Sequence, residues 1–349
     1  MTHSTESTQE REAYYQRLAS HDVAPLWTVF RQLLTPTPKP RAVPHHWRWA
    51  TLRPLLDEAL RLVPIEEAER RVLVLENPRL KGESAITSTL YAGLQIIGAG
   101  ETARAHRHTA NALRFVLEGE GAFTAVNGER APMQRGDFII TPVWTWHDHG
   151  NQGSAPVVWL DGLDLPAAQA LAAIFFEPFQ EVQQPPAVPE DDSRWRWGQG
   201  LRPTFESAPG LYSPIRRYPY LIARESLARL AATTKGSPYD GIMLQYMNPL
   251  NGGPAMPTID AFLQWLPPRA SLTSHRHTGS TVYCAVEGRG ILEVDGIEYQ
   301  WEPNDVMVVP SWAPHRHRNP HSEPAILFSF TDAPLLRPFG LYREEEVSG

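Results

Sequence analysis

From Arg70 onward, apolar residues fall in short, turn-punctuated runs rather than at helical spacing. Arg71-Val72-Leu73-Val74-Leu75 and Ser88-Thr89-Leu90-Tyr91-Ala92-Gly93-Leu94-Gln95-Ile96 are strand-like and bounded by Gly, Pro and Asn. Such runs continue to about residue 165, with turns roughly every 8 to 12 residues, the rhythm of an all-β sandwich or barrel. Ahead of them, residues 5–20 read as a polar helix, and 51–62 as an amphipathic one carrying Leu52, Leu55, Leu56, Leu60 and Leu62. Residues 166–177 look helical. The Pro-rich, charged stretch from Gln183 to Asp192 reads as a connection, and a further helix is expected over 226–233. The layout predicted is a helical arm over 1–69, a β-barrel over 70–165, a helix and Pro-rich connection over 166–239, a second barrel over 240–333 and a tail over 334–349.

The two barrels repeat one pattern. His106-Arg107-His108-Thr109 returns about 169 residues later as His275-Arg276-His277-Thr278. Each copy runs into a glycine pair, Gly119/Gly121 and Gly288/Gly290, then a turn, Asn127-Gly128 and Asp295-Gly296. Gly136-Asp137, Pro142, Trp144, His147, His149 and Asn151 are answered by Asn304-Asp305, Pro310, Trp312, His315, His317 and Asn319. A repeat of this length means two homologous domains. On a strand, residues two apart share a face, so His106 and His108 aim together. Asn-Gly is a favoured hairpin turn. The returning chain brings His147 beside the pair, and three imidazoles can then occupy one face of a metal. Imidazole suits iron, zinc, copper and nickel alike, so the ligands do not choose the metal. A lone His-x-His is as well read as solvated or core histidine; two copies in register, each with its third histidine, point to metal.

Composition bounds the rest. A chain of 349 residues with 42% hydrophobic and 20% charged residues suits two globular domains. A net charge of −7 gives no electrostatic reason to bind nucleic acid or an anionic membrane. No apolar run approaches the roughly 20 residues that span a bilayer. The N-terminal residues lack a signal-peptide pattern, and the single cysteine, Cys284, excludes an intrachain disulfide framework, so a reducing cytoplasm is expected. Cys284 lies in an apolar strand run and reads as core.

The repeated blocks resemble the cupin superfamily, whose second block matches as Gly136-x5-Pro142-x-Trp144-x2-His147-x3-Asn151, with Trp144 in place of the middle glycine. The resemblance implies a mainly β bicupin, two tandem cupin (double-stranded β-helix, jelly-roll) barrels with flanking helices. Its glutamate slot holds Ala112 and Thr281 here. Losing that carboxylate leaves a divalent ion uncompensated, which suits a chelating dianion; a three-histidine zinc site that activates water is the competing chemistry. Longer stretches resemble the gentisate 1,2-dioxygenase family: Ala68 through Pro78, Ser88 through Gln95, Ala105-His106-Arg107-His108, Ala112-Leu113-Arg114-Phe115, Thr145 through Asn151, and Trp159-Leu160-Asp161-Gly162-Leu163-Asp164. That resemblance implies an Fe(II) enzyme, typically tetrameric, that opens 2,5-dihydroxybenzoate with dioxygen between the carboxyl-bearing and adjacent hydroxylated carbons to give maleylpyruvate. Salicylate and 1-hydroxy-2-naphthoate dioxygenases are its relatives.

The halves differ around the histidines. Gly93, expected to leave room for an aromatic ring, becomes Phe262; Arg114 becomes Tyr283; Asp161 aligns with Ser329. Only the first barrel therefore reads as catalytic. The resemblance implies that His106, His108 and His147 bind Fe(II), that Arg114 grips the substrate carboxylate, and that His149 relays a proton. Gln95, Tyr91, Gly93 and Asp161 would line the pocket, Asp161 also orienting an Arg or His. Arg70 is a further substrate contact or a solvated charge. His275, His277 and His315 form a candidate second metal site. Trp144, Trp146 and Trp312 are read as structural, Arg216-Arg217 as a solvated turn, and Trp195-Arg196-Trp197 as a candidate anchor between protomers. A non-catalytic metal-binding bicupin and a metal isomerase or hydrolase are the other classes.

Overall fold

The structure, a computed structural model, describes residues 2–207 and 210–347, with side chains from residue 7 onward. Residues 1–39 form one body and 40–349 another. In the first lie the helices Thr2–Ala19 and Leu26–Leu33, the second unforeseen from the sequence. Trp27 Nε1 donates to Tyr15 Oη at 3.0 Å between them.

The larger body is two barrels, each a six-stranded sheet facing a five-stranded one. In the first, the six-stranded sheet runs Arg217–Tyr218, Phe138–Thr141, Ala112–Glu118, Val157–Leu163, Tyr91–Ile97 and Arg71–Val74 from edge to edge. Opposite it stand Phe176–Pro178, Thr102–His108, His147–Asn151, Ala122–Val126 and Glu129–Met133. The second barrel repeats this order, with His45–Trp47 and Glu344–Glu346 at the edges. The Asn127-Gly128 and Asp295-Gly296 turns have positive φ at both residues, the mirror-image turn geometry that matches strand twist.

Strand alternation assigns each side chain to one of two cores. Along Ala112–Glu118, Leu113, Phe115 and Leu117 join a core shared by both barrels, while Val116 joins the interior of the first. Along Tyr91–Ile97, Ala92, Leu94 and Ile96 face the shared core, leaving Tyr91, Gly93, Gln95 and Ile97 on the interior face. In the shared core the two six-stranded sheets pack back to back, and Phe115 stacks on Phe328 at 4.1 Å and 10°.

Several segments depart from the sequence reading. The helix expected over 166–177 is only Leu165–Ala170, and the chain then becomes the strand Phe176–Pro178. The open edge of the histidine strand captures that backbone, Phe176 pairing with His108 and Pro178 with His106. The helix expected over 226–233 spans Tyr220–Ala231, because Tyr220 as well as Leu227 is buried. Residues 183–192 are strapped to the first barrel: the Gln184 backbone and side-chain N–H groups donate to Asp148 at 3.0 and 2.9 Å. Arg217 is no solvated turn residue. It is buried and donates to Asp137 at 2.6 Å and Asp191 at 3.1 Å. Trp197 is buried within the chain, whereas Trp195 is exposed.

Candidate active site and metal centre

Thr102–His108 pairs with His147–Asn151, and their register sets His106 opposite His147. Alternation adds His108 on the same side, so the ligand nitrogens of His106, His108 and His147 all lie within 4.8 Å of one another. The Asn127 turn supports this arrangement by clamping the neighbouring Trp146, accepting its N–H at 3.0 Å on Oδ1. His108 Nδ1 contacts the Ala110 carbonyl at 2.9 Å and His147 Nδ1 the Thr145 carbonyl at 3.0 Å. A carbonyl only accepts, so both rings carry hydrogen on Nδ1 and a lone pair on Nε2. His147 Nε2 is buried with no partner. Burial, reinforced for His106 by Arg70 and neighbouring His108 and Arg114, pushes His106 down to about 2 and His108 down to about 4. His147 and His149 are also held well below the ordinary imidazole value by burial and then Arg114. Neutral, converging lone pairs are what a metal ion requires, so the donor set fits one.

A polar chain surrounds this centre. His149, two residues from His147, is fully buried; its Nδ1 meets Thr124 Oγ1 at 3.0 Å and its Nε2 has no partner. Its ring lies 5.2 Å from Trp159, whose Nε1 donates to Asp161 at 3.0 Å. Asp161 stands opposite both Arg114 and Gly93 across the sheet. Arg114 Nε approaches Asp161 to only 3.6 Å and makes no hydrogen bond, while Nη1 donates to Thr141. Burial therefore outweighs this pairing and pushes the Asp161 carboxyl up to about 6. Gln95 is buried with Nε2 unpartnered.

Two expectations need correction. Gly93 does not open free space: a β-carbon there would meet Val72 Cγ1 at 2.5 Å and Tyr91 Oη at 2.8 Å. The absent side chain lets the Tyr91 ring fold against the wall. Arg70 is not a solvated charge; half-buried, it donates to the Arg104 carbonyl at 3.1 and 3.2 Å, and burial and then Arg114 lower its pKa to about 10. Thr124, Thr141 and Val72 were not foreseen, because each acts across a strand register that the sequence does not print.

Two stretches, 93–163 and 262–331, match the cupin domain family. The chain is 45% identical over 337 residues to gentisate 1,2 dioxygenase 1 of Aquipseudomonas alcaligenes, spanning 97% of this chain and 96% of that one. The chain belongs to the gentisate 1,2-dioxygenase family. The 5-aminosalicylate 1,2-dioxygenase of a Comamonas species is 40% identical, with coverage of 96% and 90%. Salicylate 1,2-dioxygenase of Pseudoaminobacter salicylatoxidans, solved as adducts with gentisate, superposes with a TM-score of 0.91 at 35% identity, covering 97% of this chain and 94% of that chain.

For a gentisate 1,2-dioxygenase family member, the two barrels are unequal. His275, His277 and His315 converge as closely as the first triad. Yet Phe262, Tyr283 and Ser329 stand in mutual register where Gly93, Arg114 and Asp161 stand in the first barrel. Leu292 faces His317 where Thr124 faces His149, leaving both His317 nitrogens unpartnered. The tryptophans stack on arginine: Trp144 and Trp146 hold Arg107 at 4.4 and 4.3 Å, and Trp312 holds Arg276 at 4.8 Å. Trp144 and Trp312 both have positive φ, the conformation that the cupin glycine adopts freely. The family and the donor set together imply a metal cofactor in this dioxygenase. No helix among the described residues is long and apolar enough to cross a membrane.

Proposed function

We propose that the chain opens gentisate between its carboxyl-bearing and adjacent hydroxylated carbons, adding both atoms of O2 to give maleylpyruvate, with Fe(II) as its metal. His106, His108 and His147 would hold the ion, which when bound supplies redox electrons and the positive charge that acidifies a chelating phenol. The observation that carries this reading is a set of buried polar atoms without partners inside one barrel: Arg114 Nε, Gln95 Nε2, His147 Nε2 and His149 Nε2. Buried polar groups are nearly always bonded, so such a set marks where a polar ligand belongs.

Each atom has a matching group on a hydroxylated benzoate. Arg114, planar and always charged, suits the carboxylate and fixes the ring in orientation. Gln95 Nε2 adds a second donor. His149 Nδ1 is paired with Thr124 Oγ1, which holds the ring in place and leaves Nε2 free to exchange a proton with a substrate hydroxyl. Arg70 adds positive charge for an anion. Tyr91 and Val72 fill the wall above Gly93 and favour a single ring over a fused one. The 5-hydroxyl makes gentisate easier to oxidise than salicylate. The enzyme is read as a cytoplasmic homotetramer; Leu201, Phe205, Leu211 and Leu221, 61–84% exposed, support self-association.

The test is anaerobic loading with Fe(II), then gentisate and air. One O2 should vanish per ring, with a new near-ultraviolet absorbance, and kcat/KM should be higher than for salicylate or 1-hydroxy-2-naphthoate. No oxygen uptake with fully loaded protein would overturn the dioxygenase reading; equal kcat/KM on all three acids would overturn the preference for gentisate.

A further inference from the structure

We propose that the second barrel holds its own divalent transition-metal ion, bound by His275, His277 and His315 with the Asp240 carboxylate beside them, and that this ion anchors the C-terminal strand rather than meeting substrate. In all three rings Nδ1 is already engaged. His277 Nδ1 contacts the Gly279 carbonyl at 2.7 Å, His315 Nδ1 the Ala313 carbonyl at 3.0 Å, and His275 Nδ1 the Glu344 carboxylate at 3.2 Å. The Nε2 atoms are left to converge. Those of His275 and His315 are fully buried and have no partner, in residues only 2% and 1% exposed. Buried, unpartnered imidazole nitrogens aimed at one point are costly in a site that holds nothing.

The surroundings reverse the charge of the first site. A cavity of 240 Å³ beside the triad is lined by Asp240, Asp260 and Glu344 against one cation, Arg337. An aromatic acid would be repelled there and a cation drawn in. Asp240 Oδ1 lies 4.0 Å from His275 Nε2, on the side of the free nitrogen, and places negative charge beside the ion site. Glu344 bonds the far side of the same ring, the carboxylate–histidine pairing that orients metal ligands and raises their basicity.

The flanking strand makes the contrast concrete. Glu344–Glu346 pairs with His275–His277, Glu344 opposite His277. In the first barrel the strand at that edge places Phe176 opposite His108. One barrel thus receives an aromatic ring beside its triad and the other a carboxylate. Tyr239 stacks flat on His275 at 5.1 Å and donates its hydroxyl to Glu346 at 2.9 Å, so the Asp240 segment and the C-terminal strand meet at this one imidazole. A bound ion would hold both.

Chelator-stripped full-length protein, reloaded with Fe(II), Mn(II) or Zn(II) and assayed by elemental analysis, should carry two ions per chain. His277→Ala and His108→Ala should each carry one, and the double variant none. Asp240→Asn, near-isosteric, should weaken the second ion by about 10- to 100-fold and guards against misfolding of the alanine variant. Backbone hydrogen exchange of residues 342–347 should slow on metal addition in wild type and in His108→Ala but not in His277→Ala. One ion per wild-type chain, or metal-independent exchange of that strand, would overturn the proposal. The His108→Ala arm separates this outcome from any failure at the first centre.

Discussion

At the residue scale, Arg114 is a buried cation whose acidic neighbour is too far away to bond it. Asp161 stops at 3.6 Å, and Arg114 Nε is left bare. Under the proposed function, an arriving carboxylate would complete a guanidinium so placed. Arg114→Lys keeps the charge and loses the planar fork, so kcat should fall on the order of 100-fold, with weaker binding and unchanged metal content. Arg114→Ala should be worse on both counts; wild-type turnover by Arg114→Ala would move the carboxylate contact to Arg70. Asp161 allows a sharper test, because its carboxyl is raised from 3.8 to about 6 by burial. A folded-state pKa above the unfolded one means stability is greatest below about 4 and declines as pH rises through 6. The span corresponds to about 3 kcal/mol. Asp161→Asn, made in metal-free protein, should therefore gain stability relative to wild type between pH 4 and 7, the histidine titrations cancelling in the difference. A urea-measured difference that does not vary with pH would contradict the assigned cause.

At the element scale, the barrels trade edge strands. His45–Trp47 lies outside the first barrel in sequence order and pairs with Val306–Val309 of the second. Arg217–Tyr218, from the connection, pairs with Phe138–Thr141 of the first. Arg217 fixes that exchange through Asp137 and Asp191, all three side chains being under a tenth exposed. Removing one partner from a buried ionic cluster strands the others, so Arg217→Ala should cost about 3–5 kcal/mol in urea unfolding. Metal content should not change. These elements also mark where sequence reading stops. The long strands were legible because seven-residue runs such as Tyr91–Ile97 and Ala112–Glu118 are apolar and turn-bounded. So were the triads, since His-x-His fixes a shared face without any knowledge of tertiary pairing. A three-residue edge strand such as Phe176–Pro178 is too short for alternation to register, and its pairing is decided by the partner's free edge. Thr124, Thr141, Asp240 and Glu344 stayed hidden for the same reason: each reaches its histidine or arginine across a register or a loop, at no fixed spacing in the chain.

At the scale of the whole molecule, the first barrel shares its largest core with the second. The six-stranded sheet carrying Tyr91, Gly93, Gln95, Arg114 and Asp161 on one face buries Ala92, Leu94, Leu113 and Phe115 on the other, against Leu263, Phe328 and Phe330 of the second barrel. Asp164 reaches across as well, accepting from Asn111 in the first barrel and Thr258 in the second. With the shared core and the exchanged strands together, neither sheet can lose its order while the other keeps it. Phe328 is the place to test this: it stacks on Phe115, contacts Phe138 at 5.8 Å and is fully buried, yet belongs to the barrel that has Tyr283 and Ser329 in place of Arg114 and Asp161. Phe328→Ala should cost about 3–5 kcal/mol. Its signature should be two-sided in native-state hydrogen exchange, with amides of Ala112–Glu118 in the first barrel losing protection alongside those of Ala325–Thr331 in the second. If only the second barrel loosens, the sheets fold independently, and the second barrel would be a passenger to the first rather than its support.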